Sequence, residues 1–185
     1  MAPLLTGYAF ALCFLAAFVW ARSRQGRFEV DLRRSRRSAF ALGAVHSFGL
    51  VAPAIGFAFF DHDVSIGATG GAVAIMAAAL ALQLWAQRSL GPCFTLSLQC
   101  SQGQPLSREG PYRWVRHPAY LVQLLFWAAL GVASRSWAIA GAVAAVALAG
   151  YGYRTAAEEA MMREALGEGY RQYAAITKRF LPLLW

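Results

Sequence analysis

Five apolar stretches, near 3–21, 39–60, 64–87, 119–134 and 137–153, alternate with polar segments along the chain. A helix crossing a bilayer needs about 20 apolar residues, so the first three predict full spans. The fourth and fifth are shorter. Only Ser134-Arg135-Ser136 lies between them, which predicts a tight helical hairpin, tilted or stopping short of the far surface. Beyond the fifth stretch, Arg154, Glu158 and Glu159 are followed by Met161, Met162, Ala165, Leu166 and Tyr170. That pattern predicts an amphipathic helix running on from the span. The expected architecture is an all-α, polytopic membrane helix bundle of about five transmembrane helices. It forms a single domain over 1–185, with a three-helix part (1–87) and a second part (88–185) that holds most of the patterned polar residues.

Composition agrees: 58% of residues are hydrophobic and 14% charged, against about 25% charged in a soluble domain. The net charge of +8 would suit nucleic acid, but its distribution argues for a membrane. Arg22, Arg24, Arg27, Arg33, Arg34, Arg36 and Arg37 crowd the first loop. Arg88, Arg108, Arg113 and Arg116 occupy the third, and Arg154, Arg163, Arg171, Lys178 and Arg179 the tail. The second loop carries Asp61, His62 and Asp63. Basic loops stay cytoplasmic, so the expectation is an integral membrane protein with its N-terminus outside and its C-terminus in the cytoplasm, touching anionic membrane lipid and no nucleic acid. The first stretch has no basic n-region or small-residue cleavage site and is kept as a helix. Cys13 falls in that helix; Cys93 and Cys100 fall in the third loop, at a spacing wrong for zinc, and no metal centre is expected. His46 and His62 read as a satisfied intramembrane and a surface histidine. Gly67-x-x-x-Gly71 predicts close helix packing within the bundle or between protomers, the first being the default.

The chemistry concentrates in Gly110-Pro111-Tyr112-Arg113-Trp114-Val115-Arg116-His117-Pro118-Ala119-Tyr120. Pro118 suits the first turn of a helix, whose N–H groups carry partial positive charge. With Arg116 and His117 just before it, this element can hold a carboxylate or phosphate. The plainer alternative is a basic, aromatic belt that only anchors the chain. In the tail, Glu158 and Glu159 point about 100° apart, so one is expected to bind and the other to brace. Arg154–Glu158 and Glu159–Arg163 have the spacing of helical ion pairs. All these features fall on the side assigned to the cytoplasm and could line one pocket. They would suit a cofactor with anionic and cationic ends, a ribose diol and an aromatic base.

At these residues the chain resembles the isoprenylcysteine carboxyl methyltransferase family and the wider integral-membrane methyltransferases. Gly-Pro-Tyr, three residues, then Arg-His-Pro-x-Tyr is matched from Gly110 to Tyr120. Glu158-Glu159 matches the Glu-Glu motif, and Leu166-Gly167-Glu168-Gly169-Tyr170-Arg171-Gln172-Tyr173 is similar to Phe-Gly-x-x-Tyr-x-x-Tyr. Leu90-Gly91 and Pro182 also fit. Gln104, Val122 and Leu166 depart from the pattern. The resemblance implies S-adenosyl-L-methionine, with S-adenosyl-L-homocysteine as product, in a cytoplasmic pocket built by the third loop and the C-terminal helix. Cofactor contacts are then implied for Gly110, Pro111, Tyr112, Arg116, His117, Pro118, Tyr120, Glu158 and Glu159, and catalytic roles for Arg116, Arg154 and Glu159. The acceptor implied is a small, apolar or lipid-like molecule with a carboxylate or thiol, and Arg113, Arg116 or Arg154 could orient a carboxylate. The alternatives are an NADPH-dependent membrane reductase of sterol-reductase type and a non-catalytic membrane protein that keeps the fold.

Overall fold

The computed structural model describes residues 2–23, 32–60, 63–91 and 106–180. Five α-helices form: α1 (Ala2–Ser23), α2 (Leu32–Phe59), α3 (Ile66–Leu90), α4 (Pro118–Ala133) and α5 (Trp137–Ile176), with a 3-10 turn at Gly110–Arg113 before α4. No strand occurs among the described residues, where the one extended pairing is a parallel bridge between Val115 and Lys178. The side chains of Arg22, Arg24, Arg27, Arg33, Arg34 and Arg36 lie outside the described residues, as do Asp61, His62, Cys93, Cys100, Gln104 and Pro182.

Among the described residues, two helical stretches, Arg37–Phe59 and Ile66–Leu90, are long and apolar enough to cross a membrane, whereas the apolar α4 has 16 residues. α5 covers 40 residues as two helical runs joined across a kink at Gly167 (φ 52°, ψ −123°). At 1.5 Å per residue the run from Trp137 to the kink alone extends about 45 Å, longer than a hydrocarbon core of about 30 Å, so part of it must lie beyond any apolar layer. Gly167 sits in the left-handed region, where a side chain would clash with its own backbone, which explains the glycine after Leu166.

Two interhelical turns meet at one end. Val64 N–H donates to Arg135 O (3.2 Å), Arg135 Nε to Val64 O (3.1 Å), and the Trp137 N–H to Asp63 Oδ1 (3.1 Å). The Asp63 carboxylate thus satisfies the start of α5, where the helix dipole favours negative charge. At the other end Gly110 (φ 55°) rests on Ser89 and Trp85 of α3, so close to the Ser89 hydroxyl that no Cβ would fit. α3 and α4 are therefore antiparallel, and the turn that opens the motif segment is held on the C-terminal end of α3.

The core joins Val45, Met76, Val122, Phe126, Trp127, Leu130, Val143 and Tyr151. Close helix approach is made by Gly49, where a Cβ would fall 2.5 Å from Trp127, by Gly56 against Ile139 and by Gly150 against Val45. The Gly67-Gly71 pair does not play the expected part: a Cβ at Gly71 meets nothing within 4 Å, and one at Gly67 reaches only the neighbouring Ser65 hydroxyl. The reason is rotational. α3 buries the row Thr69, Ala72, Met76, Ala79, Gln83, Ala86 and Gln87, which turns the glycine pair outward. His46 is satisfied as its sequence context suggests, with its Nδ1 2.7 Å from Leu42 O and its ring edge-on to Trp127. Cys13 is exposed on α1.

These contacts predict opposite signs for two Gly→Ala changes one turn-face apart on α5. Gly150→Ala forces a methyl into Val45 and should destabilise by about 1–3 kcal/mol. Gly152→Ala meets open space and should stabilise by up to about 1 kcal/mol through helix propensity. Melting temperatures of the two variants in detergent check this.

Candidate functional site

The tail after α5 is stitched to the segment before α4. Arg116 N–H donates to Lys178 O (2.7 Å), His117 N–H to Arg179 O (3.1 Å), and Lys178 N–H to Trp114 O (3.0 Å). The Tyr173 hydroxyl donates to Tyr112 O at 2.7 Å. Because Thr177 ends α5 in extended backbone, Lys178 and Arg179 can lie alongside Val115 and Arg116. Sequence-distant halves of the motif set thereby meet.

At their junction lies Glu159, whose side chain is 1% exposed. Its Oε1 accepts from Arg116 Nε (3.0 Å), His117 Nε2 (3.3 Å) and Arg179 Nε (3.2 Å). Its Oε2 accepts from Arg163 Nη2 (2.9 Å) and Arg179 Nη2 (2.8 Å). A carboxylate is acceptor-only, so His117 Nε2 must be the donor. Burial would push the Glu159 carboxyl up, but the His117 and Arg179 hydrogen bonds, the His117 charge and the Arg116 bond overcome it and hold the group well below the ordinary carboxylate range. Arg116 is equally engaged: Nη1 donates to Ala174 O at 2.9 Å and to Thr177 O, covering carbonyls at the negative end of α5.

Glu158 has a different setting. It is partly exposed and accepts the Tyr120 hydroxyl on Oε2 at 2.6 Å. Arg154 reaches it through that phenol, because Arg154 Nε donates to the Tyr120 oxygen (3.1 Å) while Nη1 donates to Ser38 Oγ of α2 (2.6 Å). The Glu pair is thus divided: Glu159 braces, surrounded by cations, and Glu158 remains open. His117 stacks on Tyr120, and Tyr120 on Tyr151, with centroids 5.7 Å apart in each pair. Tyr151 in turn accepts from Trp127 Nε1 (3.0 Å) and donates to Gln123.

Arg116, His117, Tyr120, Arg154, Glu158 and Glu159 therefore form one connected group. Gly110 and Pro111 stand apart from it and seat the turn on α3, while Pro118 opens α4. Few N–H groups are left over there: Pro118 has none, and those of Tyr120 and Leu121 both reach the His117 carbonyl. Arg113 lies over the Trp114 ring at 3.7 Å. The expected Glu159–Arg163 pair is present. Arg179 and Ser38 carried no sequence signal, since each depends on a contact far along the chain. Two further hydroxyls, Thr155 Oγ1 and Tyr170 Oη, are buried with no hydrogen-bond partner among the described residues. Thr155 lies one turn before the Glu pair. Tyr170 is pushed up by burial and by the Glu159 charge, and Tyr173 up to about 12, chiefly by burial. Tyr112 is raised by burial and by Glu158.

Glu159→Gln should destabilise by about 3–5 kcal/mol, because it leaves buried cations without their anion. The sign with pH follows from the depressed folded value: the contribution is present above the unfolded carboxylate pKa of about 4.3 and is lost as pH falls through the lower folded one. Melting wild type and variant from pH 7 downward should show a constant gap to about pH 4.3 and a shrinking one below it.

No curated protein matches the chain. Residues 72–164, half of the chain, match the isoprenylcysteine carboxyl methyltransferase family. The matched stretch begins inside α3, passes through the Gly110 turn and α4, and ends beyond the Glu pair, so it contains the connected group except for its Ser38 and Arg179 partners. On that match the protein belongs to the isoprenylcysteine carboxyl methyltransferase family, whose members are membrane methyltransferases.

Proposed function

We propose that this protein is an S-adenosyl-L-methionine-dependent methyltransferase acting on a small, apolar or lipid-like acceptor that bears a carboxylate or thiol. The observation that carries the reading is the surroundings of Glu158: a partly exposed carboxylate, a buried arginine, and two buried hydroxyls, Thr155 and Tyr170, that lack partners among the described residues. Buried polar groups are nearly always hydrogen-bonded, so orphaned ones beside an open carboxylate suit a polar ligand with hydroxyl and ammonium groups. The cofactor, when bound, supplies an electrophilic methyl on a sulfonium, which leaves S-adenosyl-L-homocysteine after transfer.

The chain's own residues bind, orient and exclude water. Glu158 accepts hydroxyl or ammonium hydrogens, and Thr155 and Tyr170 add neutral hydrogen bonds. Glu159 and Arg116 are positioning residues: by fixing His117 they hold the ring stacked on Tyr120. Arg154, buried against α2, donates to the Tyr120 phenol and to Ser38 and so positions the Tyr120–Glu158 pair. A carboxylate or thiolate is already nucleophilic, so holding donor and acceptor collinear about 3 Å apart is the main requirement. Tyr112, Tyr170 and Tyr173, all buried, keep water from that path.

The remaining readings are topological. Five spans, with the N-terminus outside and the site and C-terminus cytoplasmic, agree with the basic first and third loops and tail, and with Asp63 at the opposite end of α3. The acceptor then arrives from the bilayer between helices beside α4, and the polar donor from the cytoplasm. A labelled-methyl assay on a membrane lipid extract, with a prenylcysteine analogue as first compound, identifies the acceptor.

Calorimetry in detergent tests the donor. Wild type should bind S-adenosyl-L-homocysteine. Glu158→Gln should weaken binding roughly ten- to hundredfold through loss of a charge-assisted bond. Tyr170→Phe should weaken it about three- to tenfold without lowering the apo melting temperature, since no existing partner is lost. Folded wild-type protein that gives no binding heat overturns the assignment.

A further inference from the structure

Part of the Gly110–Tyr120 segment stays outside the connected group. Arg116, His117 and Tyr120 turn to the Glu pair, whereas Arg113 and Trp114 are exposed. Trp114 does not stand alone on the surface. Its ring meets Trp85 of α3 edge-on with centroids 6.2 Å apart, and each of these residues is 45% exposed. The Arg113 guanidinium lies over the Trp114 ring, 3.7 Å from its centroid. Arg88, also exposed, follows Trp85 by three residues and so shares its side of α3. That side is turned away from the buried row of the helix. Two indoles and two guanidiniums thus form one outward patch beside the turn seated on Trp85 and Ser89.

Depth along α3 says what surrounds this patch. The helix is long and apolar enough to cross a membrane. From Ile66 to Trp85 it rises about 29 Å at 1.5 Å per residue, close to a hydrocarbon core of about 30 Å. Exposed Trp137, whose N–H is held by Asp63 just before α3 begins, stands at the opposite boundary. Tryptophan favours both boundaries, because its ring is apolar and its N–H is polar. Arg88, one turn beyond Trp85, then stands at headgroup level, and Arg113 is held beside it by the Trp114 ring. Neither arginine forms an ion pair among the described residues, and Glu109, the acid of the 3-10 turn, pairs with neither. A guanidinium matches the geometry of a phosphate, and an exposed indole covers the upper part of an acyl chain. A soluble anion would use the arginines and leave the rings in water.

We propose that Trp85, Arg88, Arg113 and Trp114 form a binding site for an anionic phospholipid, separate from the group around Glu158 and independent of the methyl-donor reading. The motif segment is then both belt and site: its exposed residues hold the membrane boundary and its buried ones hold the ionic junction.

The test uses the full-length protein in phosphatidylcholine nanodiscs that contain a small fraction of phosphatidylglycerol. One lipid or the other carries bromine on its acyl chains near the headgroup, where bromine quenches a touching indole. Wild type should bind phosphatidylglycerol about tenfold or more tightly than phosphatidylcholine at this site, since each arginine near an anionic surface contributes about fivefold. Arg88→Gln and Arg113→Gln should each cost about fivefold, and together they should bring the preference near unity while quenching by brominated phosphatidylcholine is unchanged. Trp85→Phe with Trp114→Phe should remove the phosphatidylglycerol-specific part of the quenching. Arg36→Gln with Arg37→Gln on α2, and an excess of soluble glycerol phosphate at constant ionic strength, should leave it intact. Equal quenching by the two lipids in wild type would overturn the proposal. So would a preference that survives loss of both arginines, or specific quenching that survives loss of both indoles. An equal loss in the α2 variant would show general attraction to basic loops instead, and displacement by glycerol phosphate would show a soluble-anion site; either result sinks the lipid assignment.

Discussion

The junction of α5, the tail and the segment before α4 depends on one buried anion. Glu159 comes from the middle of α5, and the cations around it come from the segment before α4 (Arg116, His117), from the next turn of α5 (Arg163) and from the tail (Arg179). A carboxylate in low dielectric is costly unless nearly all its acceptor positions are filled. That cost makes the arrangement specific. A tail shifted by one residue, or a segment displaced from α5, would leave charges buried without partners. The backbone pairing of Arg116 and His117 with Lys178 and Arg179 is therefore held by ionic contacts as well as by its own hydrogen bonds.

From that anchor the site extends by contact. His117, oriented by Glu159, stacks on Tyr120; Tyr120 gives its proton to Glu158 and accepts from Arg154; Arg154 ends on Ser38 of α2. The connected group therefore draws in α2, a helix outside the matched family region. α2 can lie so close because Gly49, Gly56 and Gly150 remove side chains where helices cross. Packing in the apolar layer and electrostatics at its edge are parts of one arrangement: a looser α2 would carry Ser38 away from Arg154.

The division of labour inside the Glu pair follows from helix geometry. Neighbouring residues on a helix diverge by about 100°, so two adjacent carboxylates cannot share one set of cations. Glu159 faces the junction with the tail and is enclosed, while Glu158 faces Tyr120 and stays partly exposed. Adjacency thus yields an enclosed and a partly exposed carboxylate from a single dipeptide. Thr155, Tyr170, Gln83 and Gln87 keep polar side-chain atoms buried without a hydrogen-bond partner among the described residues, against the usual pairing of buried polar groups.

Much of this was legible in the chain itself, for local reasons. Apolar run length predicts helices, Pro118 marks the start of α4, Glu159 and Arg163 are one turn apart, and ordered motifs from Gly110 to Tyr173 indicate the family. Each of those signals is carried by residues near one another in sequence, where backbone geometry alone relates them. Helical rotation was not legible: Gly67 and Gly71 look like a packing pair, and only the assembled bundle, by burying the row from Thr69 to Gln87, decides that they face outward. Nor could the sequence say which glutamate braces, that Arg116 ends on the carbonyls of Ala174 and Thr177, or that Ser38 and Arg179 belong to the site. Those choices are made by chain segments up to 116 residues apart. Spacing in sequence sets which residues share a helix face, but only tertiary packing sets which face meets which, and the cost of a buried unpaired charge selects among the meetings.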